Sequence, residues 1–243
     1  MKTVDNFYLT KIIGGGAYGT VYLCKIKNPR KIEPETRKRM RPGRKVACKM
    51  IKQKDLKNKI RKYLMQEIEV MMKLKHPNIL RFLEAKKTVN NIYIFFEFCN
   101  GGDLRKFMEI RDGQLDEKLT KIISKQIAQG LHHLNEEKCM HRDLKLDNIL
   151  LNFPCYTEQG IVTDEYVKNF DPEKEPIEVI IGDLGFARSV NPSSLADSYC
   201  GTPLNMAPEI MNGEYYDSKV DIWSFGTIMY ELLVGFTPFT GMD

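Results

Sequence analysis

Residues 12–25 read IIGGGAYGTVYLCK. Their glycines follow the spacing Gly14-x-Gly16-x-x-Gly19. Such a loop can open a dinucleotide-binding helix, cover nucleotide phosphates from the tip of a hairpin, or form a flexible turn. A dinucleotide-binding helix would continue with apolar residues at helical spacing. Here Val21, Leu23 and Ile26 instead nearly alternate with other residues, which predicts a β-strand. The stretch therefore favours a strand–glycine–strand hairpin.

The composition is that of a folded domain. The chain has 243 residues, of which 42% are hydrophobic and 28% charged, enough for one large core or two small lobes. No apolar run approaches the roughly 18 residues of a membrane span, and the first ten residues lack the apolar core of a secretory signal. The six cysteines include no C-x-x-C pair, which is typical of reduced thiols. We expect a soluble cytoplasmic protein without a transmembrane segment, with the nucleus as the alternative location.

The formal net charge of +5 is concentrated in one segment. Residues 25–45 contain ten Lys or Arg against two acids. Such a segment can bind nucleic acid, acidic lipid or an acidic partner, but its prolines and few apolar residues favour a solvated loop. We expect a basic insertion at about 28–44, no nucleic-acid ligand, and an acidic protein as the alternative partner. Residues 152–178 hold seven acids against two lysines and predict a second surface insertion.

A lysine and a glutamate in the next two elements predict an ion pair. Residues 45–51 (KVACKMI) alternate as a strand, where an isolated lysine is usually an edge or snorkelling residue. From residue 55 to 74, apolar residues recur at helical spacing, and Glu67 lies at the edge of that apolar face. A carboxylate there needs a cation, because an unpaired buried charge is costly. Lys49 is the candidate partner.

Seven motifs follow one another along the chain. They are the glycine loop ending in Val21, VACK ending at Lys49, Glu67 on the following helix, HRDLKLDN at 141–148, DLG at 183–185, APE at 207–209 and DIWSFG at 221–226. In this order they resemble the eukaryotic protein kinases, from about Phe7 to the last residue. The shorter strings FEFCNGGDL, GDLGFARS and SYCGTPLNMAPEI are most similar to the autophagy-initiating (Unc-51-like) serine/threonine kinases.

The resemblance implies an α+β, two-lobed protein kinase fold. Residues 1–98 are expected to form a small N-lobe with an antiparallel sheet and one helix. Residues 99–243 are expected to form a mainly helical C-lobe. Because the family normally continues through further helices after DIWSFG, this C-lobe is expected to be truncated at its C-terminus.

The resemblance also implies roles for individual residues. Phosphoryl transfer requires in-line positioning of two oxygens and neutralisation of phosphate charge. Lys49, held by Glu67, would contact the α and β phosphates of ATP. Asp143 would accept the substrate hydroxyl proton, and Lys145 would steady the γ-phosphate. Asn148 and Asp183 would bind Mg²⁺, which prefers oxygen ligands. The ATP-binding set is Ile13, Gly14, Gly16, Gly19, Val21, Ala47, Lys49, Phe96, Glu97, Cys99, Leu150 and Asp183.

The implied function is ATP-dependent phosphorylation of protein hydroxyls. Lys145 and GTP at 201–203 favour serine and threonine over tyrosine as acceptors. The alternative is a kinase-fold nucleotide-binding or scaffold fragment without turnover, because the C-lobe is expected to be incomplete. Two residues depart from the family pattern, Leu184 in place of the usual Phe and Asn205 in place of the usual Tyr.

Regulation by phosphorylation is expected from the arginine before Asp143. In kinases with this arginine, here Arg142, a phosphate on the activation segment commonly orders that segment. Ser198 lies where the family places the activating phosphate, and Arg142 is expected to bind it. Thr202 is expected to contact Asp143 and Lys145 rather than to accept phosphate.

Overall fold

The computed structural model describes residues 2–16, 19–32, 34, 45–56, 58–157, 160–184, 188–189 and 203–240. The chain divides into two compact units, and its described residues form both helices and antiparallel strands, as expected of an α+β fold. The first consists of Met1–Lys73 and Arg81–Phe98, and the second of Leu74–Leu80 and Cys99–Asp243. The segment Leu74–Leu80, expected in the N-lobe, groups with the second unit. The Leu80 N–H donates to the Ile181 carbonyl oxygen and the Ile181 N–H donates to the Asn78 carbonyl oxygen, each at 2.8 Å.

The described part of the first unit contains one antiparallel sheet of six strands. These are β1 (Lys2–Val4), β2 (Phe7–Gly16), β3 (Gly19–Ile26), β4 (Val46–Lys52), β5 (Phe82–Lys87) and β6 (Asn91–Glu97). They lie side by side in the order β1-β2-β3-β4-β6-β5. Strands β2 and β3 form the hairpin predicted from the glycines, with Gly16 opposite Gly19. A Cβ atom on Gly19 would overlap the Met50 carbonyl oxygen, so β3 approaches β4 too closely there for any other residue.

The two faces of this sheet carry different residues, because neighbours along a strand point to opposite faces. One face forms a hydrophobic core, in which Phe7 and Phe95 stack with ring centroids 3.8 Å apart. The other buried members of this core are Val4, Leu9, Cys24, Ile32, Val46, Cys48, Met50 and Tyr93. Cross-strand pairing places Val21, Lys49 and Ile94 together on the opposite face.

The helix predicted after β4 is α1 (Asn58–Lys73). It buries Leu64, Ile68 and Met71 at the spacing of one helix face, as the sequence pattern predicts. The periodic pattern starts at residue 55, whereas the helix begins at Asn58, because Gln53–Asp55 forms a 3₁₀ turn.

The second unit is mainly helical. Its helices are α2 (Leu104–Ile110), α3 (Glu117–Glu136), α4 (Asp164–Asn169), α5 (Pro208–Met211) and α6 (Lys219–Val234). Its strands pair as β7 (Cys139–Met140) with β10 (Arg188–Ser189), and β8 (Ile149–Asn152) with β9 (Glu178–Ile181). Asp103 and Asp116 cap α2 and α3 by accepting the amide N–H groups of Lys106 and Leu119. Gly235 ends α6 in the left-handed conformation that favours glycine.

The predicted acidic insertion is a folded element of this unit. Residues 152–178 join β8 to β9, include α4, and bury Phe153 and Phe170, whose ring centroids lie 5.0 Å apart. The Arg111 guanidinium donates to the carbonyl oxygens of Val167 and Phe170 at 2.9 and 3.1 Å. The segment therefore has its own small core beside α2. Its acidic composition did not predict this core.

The basic insertion is described only at its start. Pro29–Lys31 forms a 3₁₀ turn, and Ile32 is buried in the core of the first unit. Asn28, Pro29, Arg30 and Lys31 are exposed, and residues 33 and 35–44 lie outside the described part, so the solvated loop stays a prediction. Among the helices of the described residues, none combines the length and the apolar character needed to cross a membrane.

Two helical glycines give a matched test of the packing. A Cβ on Gly130 of α3 would lie 2.7 Å from Ile181 Cδ1 and 2.9 Å from the Asn78 carbonyl oxygen, whereas one on Gly226 of α6 would meet no described atom within 4 Å. We expect Gly130→Ala to lower the free energy of unfolding by about 1–3 kcal/mol through overpacking. Gly226→Ala should raise it by up to about 1 kcal/mol, because alanine favours the helix. Urea unfolding of both variants measures this, and a stabilised Gly130→Ala protein would contradict the close packing.

Candidate active site

A buried carboxylate holds the segment that joins β7 to β8. Asp221 of α6 is 3% exposed. Its Oδ2 accepts the His141 N–H and its Oδ1 accepts the Arg142 N–H, each at 2.8 Å. Arg142 has a φ of +68°, a left-handed conformation that is unfavourable for a residue with a Cβ. The two charge-assisted hydrogen bonds that Asp221 accepts stabilise this turn.

The His141 ring connects two parts of the site. It is fully buried, and its Nδ1 accepts the Asp143 N–H at 3.3 Å. Because a backbone N–H only donates, Nδ1 is unprotonated, and Nε2 must donate to the Gly182 carbonyl oxygen, 2.8 Å away. The neutral Nε2–H tautomer thus joins the backbone of Asp143 to the residue before Asp183.

Asp143 has a constrained carboxylate. Its side chain is 7% exposed, and its Oδ2 lies 3.1 Å from Lys145 Nζ and 3.0 Å from Asn148 Nδ2. The same Asn148 nitrogen donates to the Asp143 carbonyl oxygen at 2.7 Å. A carboxylate held in this way can orient a hydroxyl group and accept its proton.

Asn148 and Asp183 lie at the same end of the β8–β9 hairpin. Ile149 pairs with Ile181, and the Gly182 N–H donates to the Asn148 carbonyl oxygen at 2.7 Å. Asn148 Nδ2 is committed to Asp143, so Oδ1 is the amide atom left to bind a cation. Asp183 is exposed and has a φ of +43°. An amide oxygen and a carboxylate are suitable ligands for a hard divalent cation.

The nucleotide residues expected in the first unit lie on the sheet as follows. Val21 pairs with Lys49, and Ala47 pairs with Phe96, which places all four on the face opposite the core. Ile13, Gly14 and Gly16 lie on β2, Gly19 on β3, and Glu97 at the end of β6. Lys49 is half-buried on β4 and Glu67 half-buried on α1. Their pairing stays a prediction.

The remaining expected residues belong to the second unit. Cys99 is half-buried before α2, and Leu150 on β8 forms a β-bridge with Asp103. Arg142 is buried, and its Nη1 donates to the Tyr216 hydroxyl at 3.3 Å. The expected regulatory residues Ser198 and Thr202 lie outside the described residues. Asn205, at the position usually occupied by Tyr, donates to Thr227 Oγ1 at 2.7 Å and accepts from Ser224 at its carbonyl oxygen.

Two structural acids on α6 were not among the residues predicted from the sequence. Asp221 holds the turn described above, and Glu231 accepts a hydrogen bond from Arg105 of α2 at 2.5 Å. Each is an acid within a strongly apolar helical run, and that pattern could have identified both, because a buried carboxylate requires partners. Their partners lie about 80 and 126 residues away along the chain and could not be read from it.

Comparison with known proteins is consistent with this geometry. The protein kinase domain family matches residues 7–243. The serine/threonine-protein kinase ATG1a of Arabidopsis thaliana is 37% identical over 240 residues, covering 99% of this chain and 33% of that protein. The serine/threonine-protein kinase ULK1 of Homo sapiens is 34% identical, covering 98% of this chain and 20% of that protein. The serine/threonine-protein kinase atg1 of Dictyostelium discoideum is 35% identical, covering 97% of this chain and 31% of that protein. The chain therefore spans a third or less of the length of these relatives.

The role of Asp221 can be tested by removing one of its two acceptor oxygens. In Asp221→Asn, the amide NH₂ faces a backbone N–H, so one buried donor loses its partner. We expect the free energy of unfolding to fall by about 1–3 kcal/mol. Asp217→Asn is the control, because this exposed residue caps the Lys219 N–H and asparagine caps equally well. Urea unfolding distinguishes them, and equal effects of the two substitutions would refute the role of Asp221.

Proposed function

Because the chain belongs to the protein kinase domain family, we propose that it transfers the γ-phosphate of ATP to serine and threonine hydroxyls of proteins. The observation that supports this best is the buried Asp143 carboxylate, held by Lys145 and Asn148. The names of the relatives support serine and threonine as acceptors. The proposal concerns this chain and not the longer proteins that it resembles.

Asp143 and Lys145 have complementary roles in this proposal. Asp143 accepts a hydrogen bond from the substrate hydroxyl and directs its oxygen toward the γ-phosphorus. It takes the proton as the new O–P bond forms and the bond from that phosphorus to the ADP leaving group breaks. The Lys145 ammonium is 3.1 Å from Asp143 Oδ2, so it lies beside the same hydroxyl. From there it can donate to an oxygen of the phosphoryl group in transit and stabilise its charge.

The first unit would contribute charge and an apolar surface. Lys49 lies on the sheet face away from the core, where its ammonium can neutralise phosphate oxygens of ATP. Val21, Ala47 and Phe96 share that face and can pack against the adenine ring. The glycines of β2 and β3 leave backbone N–H groups accessible to phosphates.

Asn148 and Asp183 would bind the Mg²⁺ ion that accompanies ATP. Both residues lie at one end of the β8–β9 hairpin, and an amide oxygen and a carboxylate are donor types that fit Mg²⁺. When bound, the ion would supply positive charge to the phosphate oxygens. Asn148 would then have two functions, since its Nδ2 orients Asp143 and its Oδ1 binds the ion.

Asp143→Asn tests the proposed catalysis. The substitution removes the proton acceptor and retains the shape, so phosphate transfer should fall by about 10²–10⁴-fold. ATP affinity should change little, because the substituted group binds the hydroxyl. Radiolabel transfer to a generic protein substrate and calorimetric titration with Mg·ATP measure the two quantities.

The control for this experiment is Asp112→Asn. Asp112 is exposed and has a φ of +61°, which asparagine also tolerates. Parent activity in Asp143→Asn would contradict its role. A parent chain that binds Mg·ATP and transfers no phosphate would overturn the catalytic proposal and support the nucleotide-binding scaffold alternative.

We also propose that phosphorylation of Ser198 raises activity. The buried Arg142 guanidinium can bind a phosphate through charge-assisted hydrogen bonds. Ser198→Ala should therefore lower activity several-fold, whereas Ser194→Ala in the same segment should not. Peptide mapping by mass spectrometry identifies the modified residue. Full activity with Ser198 unmodified would refute the proposal.

A further inference from the structure

Arg105 of α2 contacts two carboxylates from different elements. Its Nη1 lies 2.5 Å from Oε1 of Glu231 on α6, and its Nε lies 3.5 Å from Oδ2 of Asp147. Asp147 belongs to the 3₁₀ turn Leu146–Asn148, between Lys145 and β8. Burial opposes the charged guanidinium, but the hydrogen bond and charge of Glu231, together with Asp147, raise the pKa of Arg105. The arginine thus joins α2, α6 and the turn that carries Asn148.

The two ends of this bridge differ in environment. The Glu231 side chain is 3% exposed, and its Oε2 has no hydrogen-bond partner among the described residues. A buried carboxylate with one unsatisfied oxygen depends strongly on its cation. Asp147 is 54% exposed, so its contact with Arg105 is screened by solvent. Glu231 therefore fixes the guanidinium, and the guanidinium in turn restrains Asp147.

We propose that Arg105 is a positioning residue for the catalytic segment, acting through Asp147 on Asn148 and Asp143. The inference rests on the proposed kinase function. Asn148 follows Asp147 directly, and its side chain holds both the carboxylate and the carbonyl oxygen of Asp143. A shift of the turn at Asp147 moves this amide. Phosphoryl transfer is sensitive to displacements of an ångström or less at such groups.

Arginine is needed for this role because its planar guanidinium binds two carboxylates at once. Lysine carries one compact charge and can neutralise Glu231, but it cannot maintain both contacts in the same geometry. Arg105→Lys should therefore retain the stability of the parent and lose the restraint on Asp147. Arg105→Gln should lower the stability and also lose the restraint on Asp147.

Hydrogen–deuterium exchange and kinetics of the whole chain test the proposal. In Arg105→Gln and Arg105→Lys, we expect faster amide exchange in peptides covering 141–151 and a kcat lower by about tenfold, with the KM for ATP within twofold of the parent. Arg105→Gln/Glu231→Gln removes the buried charge together with its partner, so this variant keeps the fold and should show the same faster exchange.

Lys106→Gln is the matched control. Lys106 is the next residue of α2, and its ion pair in the structure is a 4.0 Å contact with the exposed Asp164. This variant should exchange and react like the parent. Asp147→Asn should lower kcat like Arg105→Gln, and the double variant should be no worse than either single variant, because both remove the same restraint.

The outcomes separate this proposal from the proposed function. A parent chain without phosphate transfer would overturn the kinase function, and the exchange data would still decide whether Arg105 restrains residues 141–151. Parent-like exchange in both Arg105→Lys and Arg105→Gln would overturn the positioning role. Fully additive losses of kcat in the Arg105→Gln/Asp147→Asn variant would also overturn it, because Arg105 would then act independently of Asp147.

Discussion

The candidate active site depends on the two hydrogen bonds that the Asp221 carboxylate accepts from the backbone N–H groups of His141 and Arg142. They hold a backbone turn that Arg142 would otherwise disfavour. The His141 ring, which lies in this turn, hydrogen-bonds to the Gly182 carbonyl oxygen and to the Asp143 N–H. The segment that follows begins at Asp143 and ends at Asn148, whose side chain donates back to Asp143. A helix more than 70 residues later in the chain therefore sets the backbone on which the proposed proton acceptor lies.

Polar groups in the second unit form a connected set. The Asn148 side chain restrains Asp143, and the Asn148 carbonyl oxygen accepts a hydrogen bond from the Gly182 N–H. Asp147, the residue before Asn148, contacts Arg105. Asp143, Asn148 and Gly182 are buried, where a lost partner costs more than it does at the surface, whereas Arg105 is half-buried and Asp147 is exposed. Small substitutions far from the proposed hydroxyl site can thus alter its geometry, which is the basis for the role assigned to Arg105.

In the first unit, the residues of the hydrophobic core and the residues proposed to bind ATP lie on opposite faces of the sheet. The stacked Phe7 and Phe95 belong to the face that forms the core, whereas Lys49 lies on the other face. Because side chains alternate along a strand, the neighbours Cys48 and Lys49 point to opposite faces of the sheet. One strand therefore supplies both sets of side chains. The core face can therefore be packed tightly while the other face keeps a charged residue.

The sequence by itself determined the elements with a local period or a fixed motif. The alternation after Gly19 predicted β3, the spacing of Leu64 and Ile68 predicted α1, and the ordered motifs indicated the kinase family. Only the tertiary structure decided which residues stabilise the buried acids of α6, and that the acidic segment 152–178 has its own core. Helices and hairpins form from neighbours in sequence and leave a periodic pattern. Asp221–Arg142 and Arg105–Glu231 join residues 79 and 126 positions apart, and such pairs exist only once the helices have packed.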